Sequence, residues 1–273
     1  VTALNELAGE QVVLSFRVTS DDDLDLELLS GFGSRLIGLS ISRHMASSDL
    51  EALSAFTSLR YLNVSGNELD DESLRHISQL GELRRLEFWS NSVSSEGWAL
   101  LETLEHLQAV GIRNSHIDGA GLANLTAIPG LRELELDYNQ IGSNADAVAH
   151  FANLTELREL SLGGTHLTDE GIVHLEGLTE LRRLVLASAN ISDAGLATIE
   201  GLNELRSLDL STVTSIGEAG LAHLSGLNQL RELNLGYSQI DDACLARLST
   251  LTELRELNIE NTRVTDAGLR HLE

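Results

Sequence analysis

The sequence predicts an α/β solenoid, a stack of similar strand–turn–helix units. Three observations predict it. The pattern L-x-x-L-x-L, with Val, Ile or Phe in place of a later leucine in five units, starts ten times, at Leu36, Leu59, Leu83, Leu107, Leu131, Leu157, Leu181, Leu205, Leu230 and Leu254, with spacings of 23 to 26 residues. Self-similarity at a period in the twenties marks a repeat architecture. Apolar residues make up 42% of the chain but aromatic residues only 4%, so the core must be aliphatic. A thin core of one residue type suits units that touch only their neighbours. Within each unit, finally, the apolar spacing switches from period two to helical spacing.

The unit from Leu157 to Glu180 shows each element in order. Leu160 and Leu162 alternate with Glu159 and Ser161, the period of a strand with one face buried. Gly163-Gly164 turns the chain, and Leu167 points inward. Thr168 is placed to cap a helix, with Asp169 and Glu170 in its first turn, where negative charge suits the helix dipole. Ile172, Leu175 and Leu178 then return to the core at helical spacing. The position after the strand holds Asn67, Asn91 and Asn139, is replaced by Ser115, Thr165, Ser238 and Thr262, and is broken at His44, Ala189 and Val213. A hydroxyl can make part of the hydrogen-bond set that an asparagine makes in such a turn.

Later units read L-R-E-L-x-L-x-x-T-x-V/L-T-D-x-G-L-x-x-L-x-x-L, as in Leu157 to Leu178 and Leu254 to Leu272. This resembles the 24-residue bacterial type of leucine-rich repeat with a T-D-x-G-L signature, and is similar to ribonuclease-inhibitor-like repeats. The resemblance covers nearly the whole chain. It implies a right-handed horseshoe with a parallel β-sheet on the concave face and helices on the convex face. It also implies a binding module as the usual role, without naming a partner.

The chain reads as a single repeat domain, 1–273. Residues 1–35 form a degenerate N-terminal capping repeat: Val12, Leu14 and Phe16 resemble a strand, Asp22-Asp23-Leu24 with Leu28 a helix, and Leu4 and Leu7 the tail of an earlier unit. Residues 36–273 hold about ten repeats, the last truncated at Glu273. That open end leads us to expect either further chain or self-association there. Extra residues fall at Gly142 to Ala147 and Thr212 to Gly217, where they map to loops or bent helix starts.

Charge narrows the function. The chain has 42 acidic and 18 basic residues, a net charge of −24, and every basic residue is arginine. The absence of lysine fits an arginine-biased bacterial genome with salt adaptation better than it fits removal of modifiable amines. Such charge repels nucleic acid and anionic lipid. No run approaches the roughly 18 apolar residues of a membrane span. Cys244, the one cysteine, excludes an internal disulfide and reads as a small, partly buried residue in place of the signature glycine. The segment Gly31-Phe-Gly-Ser-Arg-Leu is half of a dinucleotide fingerprint and reads as a turn. His76, His174 and His271 share a repeat position but lie several units apart, too far to hold one metal. No catalytic motif is present, and no enzyme activity, cofactor or metal is expected.

A partner would bind the concave face. The outward strand positions carry Glu87, Glu133, Glu135, Asp137, Glu159, Asp209, Glu232, Glu256 and Glu260 against Arg85, Arg113 and Arg183. Acids about 4.8 Å apart on successive strands repel, and a basic partner relieves this. The candidate site is Tyr61, Arg85, Glu87, Trp89, Arg113, Glu133, Glu135, Asp137 and Tyr138, because Trp, Tyr and Arg dominate binding hot spots. Gly163, Gly164, Ala187 and Gly236 make the later face bland by comparison, and Trp98 sits at a core position. Beside the face run two columns: Arg60, Arg84, Arg132, Arg158, Arg182, Arg206, Arg231 and Arg255, and Glu82, Glu156, Glu180, Glu204 and Glu253. These are expected to interleave as a structural Glu–Arg ladder. The leading function is a protein-interaction module binding a protein partner of basic character. The alternatives are a non-catalytic scaffold domain of a larger protein and a self-assembling structural array.

Overall fold

The computed structural model describes residues 12–17, 26–42, 47–64, 69–89, 92–142 and 144–272. The expectations for Leu4, Leu7, Asp22-Asp23-Leu24, His44, Asn67 and Asn91 fall outside them. The chain divides into two compact units, Val1–Leu131 and Arg132–Glu273.

In the first unit, strands β1 (Val12–Arg17), β2 (Leu36–Ser42), β3 (Tyr61–Asn63), β4 (Arg85–Trp89) and β5 (Ala109–Arg113) are parallel neighbours in chain order. In the second, β6 (Glu133–Glu135), β7 (Glu159–Ser161), β8 (Arg183–Val185), β9 (Ser207–Asp209), β10 (Glu232–Asn234) and β11 (Glu256–Asn258) do the same. Apolar residues stand opposite apolar residues, mostly leucine on leucine, as in Leu160↔Leu184 and Leu184↔Leu208, with Leu86↔Val110 and Phe88↔Ile112 on β4 and β5. The repeat therefore sets the register: a slip by one residue would turn every leucine into water. Val12–Arg17 is the strand expected of the first, degenerate repeat, and a 3₁₀ stretch, Leu26–Arg35, follows it.

Each later strand returns through a short helix. The helices are α1 (Asp71–Ile77), α2 (Ser95–Ala99) and α3 (Gly119–Thr126) in the first unit. In the second they are α4 (Ala145–Val148), α5 (Asp169–Ile172), α6 (Asp193–Leu196), α7 (Glu218–Ala222), α8 (Asp242–Ala246) and α9 (Asp266–Leu269). Most run on into a 3₁₀ turn, as α5 does into Val173–Leu175, because a repeat of about 24 residues leaves room for little more. Ile172, Leu175 and Leu178 are fully buried, as the helical spacing requires. Trp98 is buried at 1% exposure and stacks on Phe88, ring centroids 5.6 Å apart. Cys244 is buried, and burial pushes its thiol up from the ordinary value.

The turn after the strand uses the substitutions the sequence offered. The Asn139 amide donates to the Leu136 carbonyl at 2.9 Å. The hydroxyls of Thr165, Ser238 and Thr262 donate to the carbonyl three residues back at 2.7, 2.6 and 2.8 Å. Ala189 and Val213 simply fill the same buried place with carbon.

A second link joins successive helices, and it explains the T-D-x-G-L signature. The amide and hydroxyl of Ser94 donate to the Asp71 carboxylate at 2.8 and 2.7 Å. Ser192 donates to Asp169 in the same way at 2.8 and 2.6 Å, and Thr265 to Asp242 at 2.7 Å through both groups. The Gly217 amide donates to Asp193 at 2.7 Å. Each carboxylate thus ties the cap residue of the next helix. It also lies where the next signature residue would carry a side chain: a Cβ at Gly97, Gly195, Gly220 or Gly268 would sit 2.3 Å from the aspartate Oδ1.

Two expectations need correction. Thr168 occupies the cap position of α5, but its side chain makes no capping bond. The preceding repeat holds Ala145 at the first helical position, so no carboxylate fixes the Thr168 hydroxyl as Asp169 fixes that of Ser192. The Glu–Arg ladder is also not formed: among the described residues only Glu253 and Arg255 of the two columns approach, at 3.8 Å. In-register strands place arginine beside arginine, and Nε of Arg182, Arg206 and Arg231 is buried with no hydrogen-bond partner.

Candidate functional site

In the first unit, the strand face gathers five of the proposed residues. Tyr61, Arg85 and Ala109 are lateral neighbours, as are Asn63, Glu87 and Gly111. Glu87 is the hub. It accepts from Arg85 Nε at 2.5 Å, from Asn63 Nδ2 at 2.8 Å and from the Tyr61 hydroxyl at 3.4 Å. One carboxylate thus orders three side chains on two adjacent strands. Trp89, at the end of β4, stands opposite Arg113 on β5. It is 48% exposed, whereas Phe88 beside it is fully buried. Strand alternation forces that contrast: the same backbone that puts Phe88 on Trp98 puts Trp89 in water.

In the second unit, Glu133 and Glu135 stand on β6 and Asp137 and Tyr138 follow in its turn. Glu133 faces Glu159, and Glu135 faces Ser161. Asp137 accepts from the Ser161 hydroxyl at 2.5 Å and the Gly163 amide at 2.8 Å, so it bridges two repeats. Tyr138 is 68% exposed and adopts φ +60°. Its ring covers Gly164, where a Cβ would lie 2.7 Å from the ring. The same left-handed position recurs at Ser188, Thr212, Tyr237 and Asn261. It costs an ordinary L-residue about 1–2 kcal/mol, and bulky residues are uncommon there. The structure therefore forms the proposed residues as two clusters, Tyr61–Arg85–Glu87–Trp89–Arg113 and Glu133–Glu135–Asp137–Tyr138, one in each unit.

The later strands are less bland than their glycines suggest. A depression of about 590 Å³ opens on β8–β11, lined by Arg183, Ser207, Asp209, Glu232, Asn234 and Glu256 among others. Asn234 donates to Asp209 at 3.1 Å. Tyr237 is 52% exposed at φ +58°, its hydroxyl 2.9 Å from Glu260. The missed signal was positional: Tyr237 holds in its repeat the place that Tyr138 holds in its own. Among the described residues no three His, Cys, Asp or Glu side chains stand close enough to hold a metal ion, and no helix is long and apolar enough to cross a membrane.

A leucine-rich-repeat family model matches residues 57–78 and 153–175, each running from the end of one unit into the strand and helix of the next or its equivalent. With the stacked parallel strands, these matches mark the fold as a leucine-rich-repeat solenoid. Among solved structures, this leucine-rich-repeat chain resembles an internalin from Listeria monocytogenes at 18% identity, over 91% of both chains, with a TM-score of 0.52. It also resembles a chain of the mouse RP105/MD-1 complex at 20% identity and a TM-score of 0.58, over 86% of this chain and 39% of that one. At such identities the likeness is one of fold. No curated protein sequence matches the chain.

Proposed function

We propose that this leucine-rich-repeat protein is a protein-interaction module that binds a partner of basic character on its strand face. In the first unit the contacts come from Trp89 and Arg113, with Tyr61, Arg85 and Glu87 ordered on the same strand face. In the second they come from Glu133, Glu135, Asp137 and Tyr138. The observation that carries the reading is Trp89. A large aromatic ring at the end of a strand whose Leu86 and Phe88 are fully buried is left 48% exposed, next to a lateral arginine neighbour. Desolvating such a ring on binding is a large source of affinity. The hydrogen bonds that converge on Glu87 hold its surroundings in place before binding, which lowers the entropy cost of association. The mouse neighbour is itself a complex of two proteins, which supports the reading by analogy of fold alone.

The test is capture of a partner by the wild-type chain and by a Trp89→Ala, Asp137→Arg variant shown by circular dichroism to be folded. A partner held by the wild type and lost from the variant supports the site. Equal capture by both chains moves recognition off these residues.

A further inference from the structure

Tyr138 and Tyr237 are the exposed aromatic residues of the second unit. Both occupy the left-handed turn position that other repeats fill with Gly164, Ser188, Thr212 and Asn261. Each ring has a carboxylate beside it. The Asp137 carboxylate accepts from the Gly163 amide at 2.8 Å, next to the Gly164 that the Tyr138 ring covers, and Glu260 accepts from the Tyr237 hydroxyl at 2.9 Å. A ring face with an adjacent carboxylate is the chemistry that receives a guanidinium, by stacking on one side and charge-assisted hydrogen bonding on the other.

The two corners are four strands apart, β6 to β10. At about 4.8 Å per strand they are separated by roughly 19 Å. An extended peptide rises about 3.3 Å per residue, so side chains about six residues apart span that distance and, being an even number apart, share one face. Between the corners the turn position carries only Gly164, Ser188 and Thr212, which leaves a path for a backbone. The outward strand positions of this unit carry eight carboxylates and one guanidinium, Arg183.

We infer that the second unit binds an extended, arginine-bearing segment of a protein partner, with two arginines about six residues apart seated on Tyr138 and Tyr237. This rests on the strand face being the recognition surface and adds where and how a basic partner lies on it.

The test is fluorescence polarisation with labelled Gly/Ser peptides carrying two arginines separated by five residues, two arginines separated by two, or two glutamates separated by five. The full chain is compared with Tyr138→Asn and Tyr237→Asn. Asparagine already occupies this turn at Asn261, so both variants should fold, and melting curves check that. The widely spaced arginine peptide should bind roughly tenfold more tightly than the closely spaced one, and either variant should abolish that preference. The glutamate peptide should not bind. Equal affinity for the two arginine peptides, or affinity unchanged in both variants, would show unspecific attraction to a chain of net charge −24 and overturn the inference. Absence of binding would overturn it as well. Trp89→Ala separates the two proposals: loss of a captured partner from that variant, with no peptide binding by the wild type, keeps the general reading and removes this one.

Discussion

The carboxylate of Asp169 lies where the side chain of residue 195 would begin: a Cβ at Gly195 would be 2.3 Å from Asp169 Oδ1. The same carboxylate accepts from the amide and hydroxyl of Ser192. The aspartate of one repeat therefore holds the cap of the next and leaves no room for a side chain at its glycine. Aspartate in the first helical position is followed one repeat later by glycine at Gly97, Gly195, Gly220 and Gly268. Where Glu218 replaces it, the glycine gives way to Cys244. Glu218 reaches instead to Arg247, 2.9 Å from its Nε.

Alanine is a better helix former than glycine by about 1 kcal/mol, yet Gly195→Ala should destabilise the chain by about 1–3 kcal/mol, the usual cost of overpacking. In an Asp169→Ala background the same substitution should cost much less, the remaining close contact being Ile191 Cβ at 3.2 Å. Urea denaturation of the four chains measures the coupling. Additive effects would show that the carboxylate and the glycine are independent.

Exchanging the odd pair should restore the rule. Glu218→Asp alone is expected to destabilise, because Cys244 blocks the place its carboxylate needs and the bond to Arg247 is lost. Glu218→Asp with Cys244→Gly should be more stable than the two single effects added. The melting temperatures of the three variants decide this.

Acid should unlock the same links. Hydrogen bonds from the Thr265 amide and then its hydroxyl hold the Asp242 carboxyl below the usual carboxylate value, although burial pushes the other way. The Cys244 amide does this for Asp241, and the Ser73 amide for Asp70. A folded-state value below the unfolded one means that the unfolded chain binds protons first as pH falls. The stabilisation is complete above the ordinary carboxylate value of about 3.9 and fades as pH drops through it toward the lower folded values. Asp242→Asn should therefore be less stable than the wild type at neutral pH and approach it below about pH 4. A gap that stays constant in urea midpoints across that range would contradict the assignment.

The two tryptophans should behave in opposite ways. Trp98→Ala removes a buried ring stacked on Phe88 and should cost about 3–5 kcal/mol. Trp89→Ala removes an exposed ring and should change stability by less than about 0.5 kcal/mol. Chemical denaturation of both variants checks this.

The repeat was legible because leucine position is a direct record of burial. Each L-x-x-L-x-L start became a strand with its leucines inward, and Trp98 and Cys244 went into the core as their positions required. What was not legible depends on neighbours in space. The Asp169–Gly195 contact joins residues a repeat apart, and reading Asp169 within its own helix yielded only a dipole argument. The Glu–Arg ladder failed for a related reason: columns stack like upon like, a property of the assembled sheet and not of one unit. Exposure of Trp89 followed from strand alternation, whereas that of Tyr237 comes from a left-handed turn position outside the strand, which alternation does not describe.

Site-specific photo-crosslinking reads out whether a partner is recognised through the strand face. A benzophenone side chain is placed at Tyr61 or Tyr138 on the strand side, or at Val173, which is exposed on the helix side. Crosslinks to a partner from Tyr61 and Tyr138 and none from Val173 are expected. Crosslinks from Val173 alone would place recognition on the helices and contradict the account.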